Sequence, residues 1–185
     1  MSVFSFLKSL IRHPRTLGTL SPASPFTAHR VGDAIPEGAK SILELGAGNG
    51  AITRELLSRL PSDGRLLAVE LRPELAEELS AIGDTRLAVV RGDAREVRNM
   101  AAQHGFAAFD AAVSSLPFAL FEESERDAIL ASVHGLLVPG GALVACQHVP
   151  TMLPELKRRF DVDTSFEPLN LPPYFVMKAI KAEKK

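Results

Sequence analysis

Short apolar runs alternate with longer amphipathic stretches along the chain from Ser41 onward. The short runs are typical of strands buried in a sheet, whereas apolar residues that recur every three or four positions are typical of helices. The predicted strands are Ser41–Leu45, Arg65–Val69, Leu87–Val90, Asp110–Ser114 and Ala142–Gln147. The predicted helices are Ala51–Leu60, Pro73–Ile82, Ala94–His104 and Glu122–Leu137. Strands that alternate with helices in this way predict an α/β fold with a mainly parallel sheet.

The chain after the fifth predicted strand breaks this alternation. A short segment around Pro154–Arg159 is followed by two apolar runs, Phe160–Phe166 and Tyr174–Lys181, which are separated by an Asn-Leu-Pro-Pro break at 170–173. Two strands joined by so short a break are expected to pair antiparallel. The pattern therefore predicts a seven-stranded, mainly parallel sheet that is closed by an antiparallel C-terminal hairpin.

The first 36 residues lack the alternation and contain four of the 13 prolines. We therefore divide the chain into an N-terminal segment, residues 1–36, and one α/β domain, residues 37–185. Apolar residues at helical spacing cover one face of a predicted helix that ends before Pro14. That face holds Val3, Phe4, Phe6, Leu7, Leu10 and Ile11, and the opposite face holds Ser5, Lys8, Ser9 and Arg12. Such a helix is typical of a membrane-surface anchor, and packing on the protein's own core or on a partner is the alternative.

The composition is that of one ordinary globular domain, with 46% hydrophobic and 23% charged residues among 185. The single cysteine, Cys146, excludes a disulfide scaffold, and the five histidines show no ligand spacing, so we expect no metal. No apolar run reaches the length of a membrane span, and the N-terminus lacks the features of a secretory signal. These features predict a cytoplasmic protein.

Charge is distributed unevenly along the chain, although the net charge is only −1. Residues 1–32 contain Lys8, Arg12, Arg15 and Arg30 and no acidic residue, so the rest of the chain is net acidic. A basic arm on an acidic body predicts an anionic partner near the arm and argues against a nucleic-acid-binding protein.

The clearest signal for ligand binding is the sequence LELGAGNG at 43–50, between the first predicted strand and the first helix. Gly46, Gly48 and Gly50, with Ala47 between them, allow a sharp turn and let a ligand approach the backbone. With Ala51 as a third small residue, the spacing also satisfies the dinucleotide fingerprint. The glycines alone therefore favour neither NAD nor S-adenosylmethionine (SAM).

Three acidic residues at successive strand ends separate these two cofactors. Glu44 suits the cationic amino-acid end of SAM and would oppose a pyrophosphate, Glu70 can accept both ribose hydroxyls, and Asp93 can meet the adenine amine. Singly, Glu70 and Asp93 could instead be helix N-caps, and the glycines a plain strand-to-helix turn. Because all three acidic residues are expected at one edge of a parallel sheet, together they predict SAM binding. Neighbouring residues assigned to the same site are Leu71, Gly92, Ala94 and Ser114.

These motifs and the closing hairpin resemble the class I SAM-dependent methyltransferases, which have a Rossmann-like fold, over about residues 38–181. Members that methylate amines carry Asn or Asp, then Pro-Pro or Leu-Pro, then an aromatic residue after the fourth strand. The resemblance implies that Ser115 is the catalytic residue that orients the amine, and that Leu116, Pro117 and Phe118 bind the substrate. The alternative is that residues 116–118 form only the apolar lip of a loop.

Three further motifs narrow the resemblance, namely Ser-Ser-Leu-Pro at 114–117, Asn-Leu-Pro-Pro at 170–173 and Gly-Thr-Leu-Ser-Pro-Ala-Ser at 18–24. Together they resemble the bacterial phospholipid N-methyltransferases, which convert phosphatidylethanolamine towards phosphatidylcholine. The rRNA adenine dimethyltransferases are related, but they carry an Asn-Leu-Pro-Tyr type motif and an additional helical domain.

The narrower resemblance implies roles for residues near both ends of the chain. Ser21, Ser24 and Asn170 are implied in substrate binding, and residues 1–36 would cap the substrate. Tyr174, the only tyrosine, is implied as a second catalytic residue, whose ring would face the growing cation together with Phe118. No general base is assigned.

Taken together, these observations predict a monomeric SAM-dependent N-methyltransferase that methylates phosphatidylethanolamine. We expect it to associate peripherally with anionic membranes. Three alternatives remain open at this point: a nucleic-acid adenine N-methyltransferase, a small-molecule amine methyltransferase and a non-catalytic SAM-binding protein.

Overall fold

The computed structural model describes residues 23–170 and 172–183. The helices are α1 (Pro25–Ala34), α2 (Ala51–Arg59), α3 (Pro73–Ser80), α4 (Val97–Gln103), α5 (Glu123–Leu136) and α6 (Leu153–Lys157). The strands are β1 (Ser41–Leu45), β2 (Arg65–Glu70), β3 (Leu87–Arg91), β4 (Phe109–Ser114), β5 (Leu137–Gln147), β6 (Asp161–Glu167) and β7 (Tyr174–Ile180). Short 3₁₀ turns cover Ala94–Glu96 and Phe118–Leu120.

The seven strands form one sheet in the order β3-β2-β1-β4-β5-β7-β6. Strands β1 to β5 run parallel, and β7 pairs antiparallel with both β5 and β6. The predicted fold class, a mainly parallel sheet closed by an antiparallel C-terminal hairpin, is confirmed. The strand order reverses between β1 and β4, so the connections that follow these two strands lead to opposite faces of the sheet and leave a crevice for a ligand between them.

The sheet separates two hydrophobic layers, because successive side chains of a strand point to opposite faces. Leu43 of β1 belongs to the cluster that includes Ile129 of α5, and Ile42 belongs to the cluster that includes Leu56 of α2. Helices therefore cover both faces, and the buried positions of the middle strands are mostly apolar, with Glu44 of β1 and Ser114 of β4 as buried polar exceptions. This packing leaves the carboxyl edge of the sheet as the place where polar side chains gather.

The start of β5 differs from the prediction, which placed it at Ala142. In the structure β5 begins at Leu137, which pairs with Phe109, and the next pair joins Ala111 to Ala142. The intervening residues form a bulge within the strand, which Gly140 makes possible with a φ of 77°. The Pro-Gly-Gly sequence thus bends a strand and does not precede one.

Helix α1 lies in the second half of the N-terminal segment, where the sequence pattern predicted no helix. Ser24 caps it by accepting a hydrogen bond from the Thr27 N–H, and Pro25 occupies the first turn. Its buried face packs against α2, where Gly32 allows close approach to the Arg59 side chain. The helix predicted before Pro14 lies outside the described residues. None of the described helices has the length and apolar character needed to cross a membrane.

Candidate active site

A cavity of about 610 Å³ opens at the carboxyl edge of the sheet. Its walls come from the loops after β1, β2, β3, β4 and β5 and from the start of β7. The predicted cofactor residues that line it are Gly46, Ala47, Gly48, Glu70, Leu71, Gly92, Asp93 and Ala94. The predicted acceptor residues that line it are Ser115, Leu116, Pro117 and Tyr174. Residues that are far apart in the sequence therefore share one cavity.

The glycine loop after β1 forms the floor of this cavity. The amides of Gly46 and Ala47 donate to the Val69 carbonyl oxygen, at 2.9 and 3.3 Å, which ties the loop to the end of β2. Gly46 has a φ of 74°, and a Cβ there would lie 3.2 Å from the Leu116 side chain. Gly48 has a φ of 58°, and the only atom near an added Cβ would be the Gly46 oxygen, at 4.0 Å. Gly46 thus permits close packing, whereas Gly48 borders open space.

The Glu70 carboxylate lies at the end of β2 and links two loops. Its Oε2 accepts the Gly48 N–H at 2.9 Å, and its Oε1 accepts the Arg72 N–H at 3.0 Å. Glu70 is buried, but it lines the cavity. A carboxylate held in this way by backbone amides is oriented before any ligand arrives.

Asp93 follows β3 and is held by Arg95. Its Oδ1 accepts the Arg95 N–H at 2.9 Å, which caps the 3₁₀ turn, and the Arg95 guanidinium pairs with the same carboxylate. This pairing lowers the pKa of Asp93, because the hydrogen bond favours the charged form. Asp93 and Arg95 both line the cavity. Asp93 therefore caps the 3₁₀ turn and also faces the cleft, which the sequence left as alternatives.

Glu44, Gly50 and Ser114 do not line the cavity, although the sequence placed them in the cofactor site. The Glu44 side chain is 1% exposed and accepts the Thr53 hydroxyl hydrogen at 2.7 Å. Burial raises its pKa to about 8, the Thr53 hydrogen bond opposes the shift, and the charge of Glu70 adds to it. Gly50 begins α2 with a φ of 80°, and Ser114 is buried at the end of β4. Glu44 and Ser114 thus lie buried near the carboxyl ends of β1 and β4, and Gly50 joins the glycine loop to α2.

The loop after β4 forms the wall of the cavity where the predicted acceptor residues lie. The Ser115 N–H donates to the Leu45 carbonyl oxygen at 3.0 Å, and the Leu116 carbonyl accepts the Gln147 Nε2–H at 2.8 Å. The structure differs from the prediction at Phe118, which is fully buried in the core. The 3₁₀ turn directs that ring inward, and Phe121 lines the cavity in its place.

Tyr174 begins β7 and stacks on His148, with ring centroids 4.1 Å apart and planes at 14°. The His148 Nδ1 lies 3.0 Å from the Pro173 carbonyl oxygen. Burial raises the pKa of Tyr174 to about 12 and lowers the pKa of His148. The tyrosine hydroxyl and a neutral imidazole therefore lie together beside the acceptor wall at neutral pH.

The remaining predicted substrate residues lie away from the cavity. The Asn170 Oδ1 accepts the Ser24 N–H at 2.7 Å and the Thr27 hydroxyl hydrogen at 3.1 Å. Ser24 and Asn170 thus join the β6–β7 break to the start of α1, and the neighbouring Ala23 lines the cavity. Ser21 lies outside the described residues.

The sequence reasoning missed several lining residues, above all Gln147 and His148. Both stand at the carboxyl end of β5, which contributes to the same edge as β1 to β4. Their position at the end of a predicted strand, Gln147 as its last residue and His148 as the next, was the signal that could have identified them. Arg72 and Arg95, which follow β2 and β3, line the cavity as well, although the sequence motifs gave no role to a basic side chain there.

The comparisons with known proteins agree with this geometry. Residues 42–141 match the family described as a methyltransferase domain. The chain is similar to the N-methyltransferase NodS from Bradyrhizobium japonicum in complex with S-adenosyl-L-homocysteine (SAH), with a TM-score of 0.68 at 16% identity over 86% of this chain and 89% of that one. It is also similar to an O-methyltransferase from Bacillus cereus in complex with SAH, with a TM-score of 0.66 at 19% identity over 94% and 91%. The chain therefore belongs to the class I SAM-dependent methyltransferases.

The reaction type follows from a second comparison. The chain is 34% identical to the ornithine lipid N-methyltransferase of Singulisphaera acidiphila over 176 residues, which are 92% of this chain and 91% of the relative. The protein is a SAM-dependent N-methyltransferase, and the predictions of the cofactor and of enzymatic activity are confirmed. The predicted relation to rRNA adenine dimethyltransferases stays a prediction.

Proposed function

We propose that this N-methyltransferase methylates the amine of a membrane-lipid headgroup. The observation that carries the proposal is the identity of 34% to an ornithine lipid N-methyltransferase over 92% of the chain. A match over nearly the whole chain includes the loops after the strands, and loops of this kind build the substrate sites of such folds. Phosphatidylethanolamine, which the sequence motifs favour, and ornithine lipid share the relevant chemistry, an amine on a lipid.

The residues on the β1–β3 side of the cavity fit SAM. Gly48 borders open space, the oriented carboxylate of Glu70 suits the ribose hydroxyls, and Asp93 suits the adenine amine. Glu44 lies beneath the glycine loop, where the cationic amino group of the cofactor would favour its ionised form. Further residues assigned to cofactor binding are Gly46, Ala47, Leu71, Gly92 and Ala94 in the lining, with Gly50 and Ser114 in support.

The residues on the β4–β5 side of the cavity suit an amine substrate. When bound, SAM supplies an electrophilic methyl group, whose bond to sulfur breaks as the new bond to nitrogen forms. The task of this chain is to align the amine and to exclude water. We assign orientation of the amine to Ser115 and Tyr174, with Leu116 and Pro117 beside them. The aromatic faces of Tyr174 and Phe121 would stabilise the cationic product.

Apolar side chains at the mouth of the cavity suit a lipid. Leu71 lines the cavity although 64% of it is exposed, and Leu120 is 42% exposed between lining residues Ala119 and Phe121. The two leucines offer apolar surface beside the cleft, which suits contact with the apolar part of a lipid. The predicted N-terminal helix would bring this surface to the bilayer.

The experiment is methyl transfer from labelled SAM to four acceptors in parallel: vesicles with ornithine lipid, vesicles with phosphatidylethanolamine, free amines, and RNA. We expect label in the lipid fraction, with mass spectrometry identifying the methylated headgroup. Comparison of the two vesicle types assigns the lipid. Label only in free amines or only in RNA would overturn the proposal. Intact SAH binding without any transfer would indicate a non-catalytic SAM-binding protein.

A further inference from the structure

His148 immediately follows β5 and lines the acceptor side of the cavity. Its Nδ1 lies 3.0 Å from the Pro173 carbonyl oxygen, and its ring stacks on Tyr174. Because a carbonyl oxygen only accepts hydrogen bonds, Nδ1 carries the ring hydrogen and Nε2 carries the lone pair. Within residues 23–170 and 172–183, no group hydrogen-bonds to Nε2. The structure therefore orients an imidazole whose basic nitrogen is available.

The surroundings keep this imidazole neutral. Burial lowers the pKa of His148, although the hydrogen bond to Pro173 opposes the shift. Tyr174 and Cys146, the titratable neighbours on this side, keep their protons at neutral pH because burial raises the pKa of each to about 12. The charged residues that line the cavity stand at or after the ends of β2 and β3, on the other side of β1: Glu70, Arg72, Asp93 and Arg95. Among the described residues on the β4–β5 side of the cavity, His148 thus presents an unprotonated ring nitrogen that can accept a proton.

An aliphatic amine needs such a base before it can be methylated. At neutral pH it is an ammonium ion, since alkyl amines such as lysine have a pKa of about 10. An ammonium nitrogen has no lone pair with which to attack the methyl group. The hydroxyls of Ser115 and Tyr174 can orient the group, but they are poor proton acceptors at this pH.

Building on the proposed function, we infer that His148 Nε2 is the general base that removes a proton from the substrate ammonium group. The N–H bond breaks, its electron pair stays on nitrogen, and the proton forms a new N–H bond at Nε2. The freed pair then makes the bond to the methyl carbon, and the pair of the broken C–S bond stays with sulfur. The imidazolium returns its proton to water through the mouth of the cavity.

Two variants separate this role from a structural one. His148→Asn keeps an amide donor near the position of Nδ1 for Pro173, and His148→Gln places an amide oxygen near the position of Nε2, but neither amide is a base. We expect kcat at pH 7 to fall by about 100-fold or more in both. The Kd for SAH and the Tm should change little. His104→Asn is the matched control, because His104 also places Nδ1 against a carbonyl, that of Met100, outside the cavity.

The pH dependence gives a second readout. The activity of the wild-type protein should fall only below the pKa of His148, where Nε2 is already protonated. Both variants should instead gain activity steadily up to about pH 10, because they depend on the fraction of substrate amine that is free. A loss of equal size at every pH would overturn the inference, since it indicates a structural role. The inference would also be overturned if the kcat of His148→Asn at pH 7 equalled that of the wild-type protein.

A third readout does not depend on turnover. Imidazole ¹⁵N NMR spectra of the SAH-bound protein should show His148 as the Nδ1–H tautomer, with Nε2 unprotonated at pH 7. An Nε2–H tautomer or a charged ring would overturn the inference even if a lipid is methylated. Failure of the wild-type protein to methylate any amine would instead refute the proposed function, so the two failures are distinguishable.

Discussion

Gly48 tests the cofactor site at the scale of a single side chain. A valine at this position would extend into the space that we assign to SAM, because nothing but the Gly46 oxygen lies near an added Cβ. We expect Gly48→Val to weaken SAH binding by about 100-fold, or about 3 kcal/mol, in isothermal titration calorimetry. Gly38→Val is the control, since Gly38 has a φ of 77° and open space around it but lies outside the cavity. An equal loss of affinity in both variants would show that backbone strain, and not blocked space, is the cause.

Glu44 makes the stability of the protein depend on pH. Its pKa is raised from 4.5 to about 8 in the folded protein, because burial disfavours the charged form. Below pH 4.5 the carboxyl is protonated in both states. Between pH 4.5 and about 8 the unfolded chain releases this proton first, so the contribution of Glu44 to stability falls as pH rises.

Glu44→Gln should remove this dependence. Relative to the wild-type protein, the variant should gain a few kcal/mol in free energy of unfolding between about pH 4.5 and pH 8.5, as measured by urea denaturation. For each protein, the free energy of unfolding at the lower pH is compared with that at the higher pH. This comparison removes any pH-independent difference in packing between the variant and the wild-type protein. Glu74→Gln, at an exposed position in the first turn of α3, should show no such gain. Parallel pH curves for Glu44→Gln and the wild-type protein would contradict the raised pKa.

At the scale of elements, the break between β6 and β7 holds the start of α1 through Asn170. Asn170→Ala would remove the acceptor of the Ser24 N–H and of the buried Thr27 hydroxyl, which would keep only its contact with the Ser24 hydroxyl. We expect a loss of about 2–3 kcal/mol in free energy of unfolding, with the SAH affinity and the KM for the lipid unchanged. Asn99→Ala, at an exposed site on α4, is the control. A raised KM with unchanged stability would instead support the substrate role that the sequence resemblance implies.

At the scale of the whole molecule, the N-terminal helix is expected to hold the enzyme on the membrane. A chain that begins at Thr16 should keep its SAH affinity but lose sedimentation with anionic vesicles, because it lacks the apolar face and three basic residues. Phe4→Glu with Leu7→Glu should have the same effect. Ser5→Glu with Ser9→Glu adds the same charge on the polar face and should weaken binding much less. Equal sedimentation of the truncated and intact chains would show that the anchor lies elsewhere.

The sequence by itself determined the class of fold and the position of two acidic residues, Glu70 and Asp93, at the edge of the sheet where the cavity lies. Apolar periodicity identified the strands and most helices, because each depends on residues close together in the chain. Glu70 and Asp93 could be placed at one edge because parallel strands end at the same side of a sheet. The position of each on the cavity therefore followed from local pattern and topology alone.

Only the tertiary structure decided which aromatic side chains and which residues of distant segments reach the β4–β5 side of the cavity. Phe118 and Phe121 are equally apolar in the sequence, and the 3₁₀ turn determines that the second of them lines the cavity. Asn170 contacts residues more than 140 positions away, and His148 reaches Tyr174 only because β7 pairs with β5. Such contacts depend on strand register and on packing between distant segments, which no local pattern encodes.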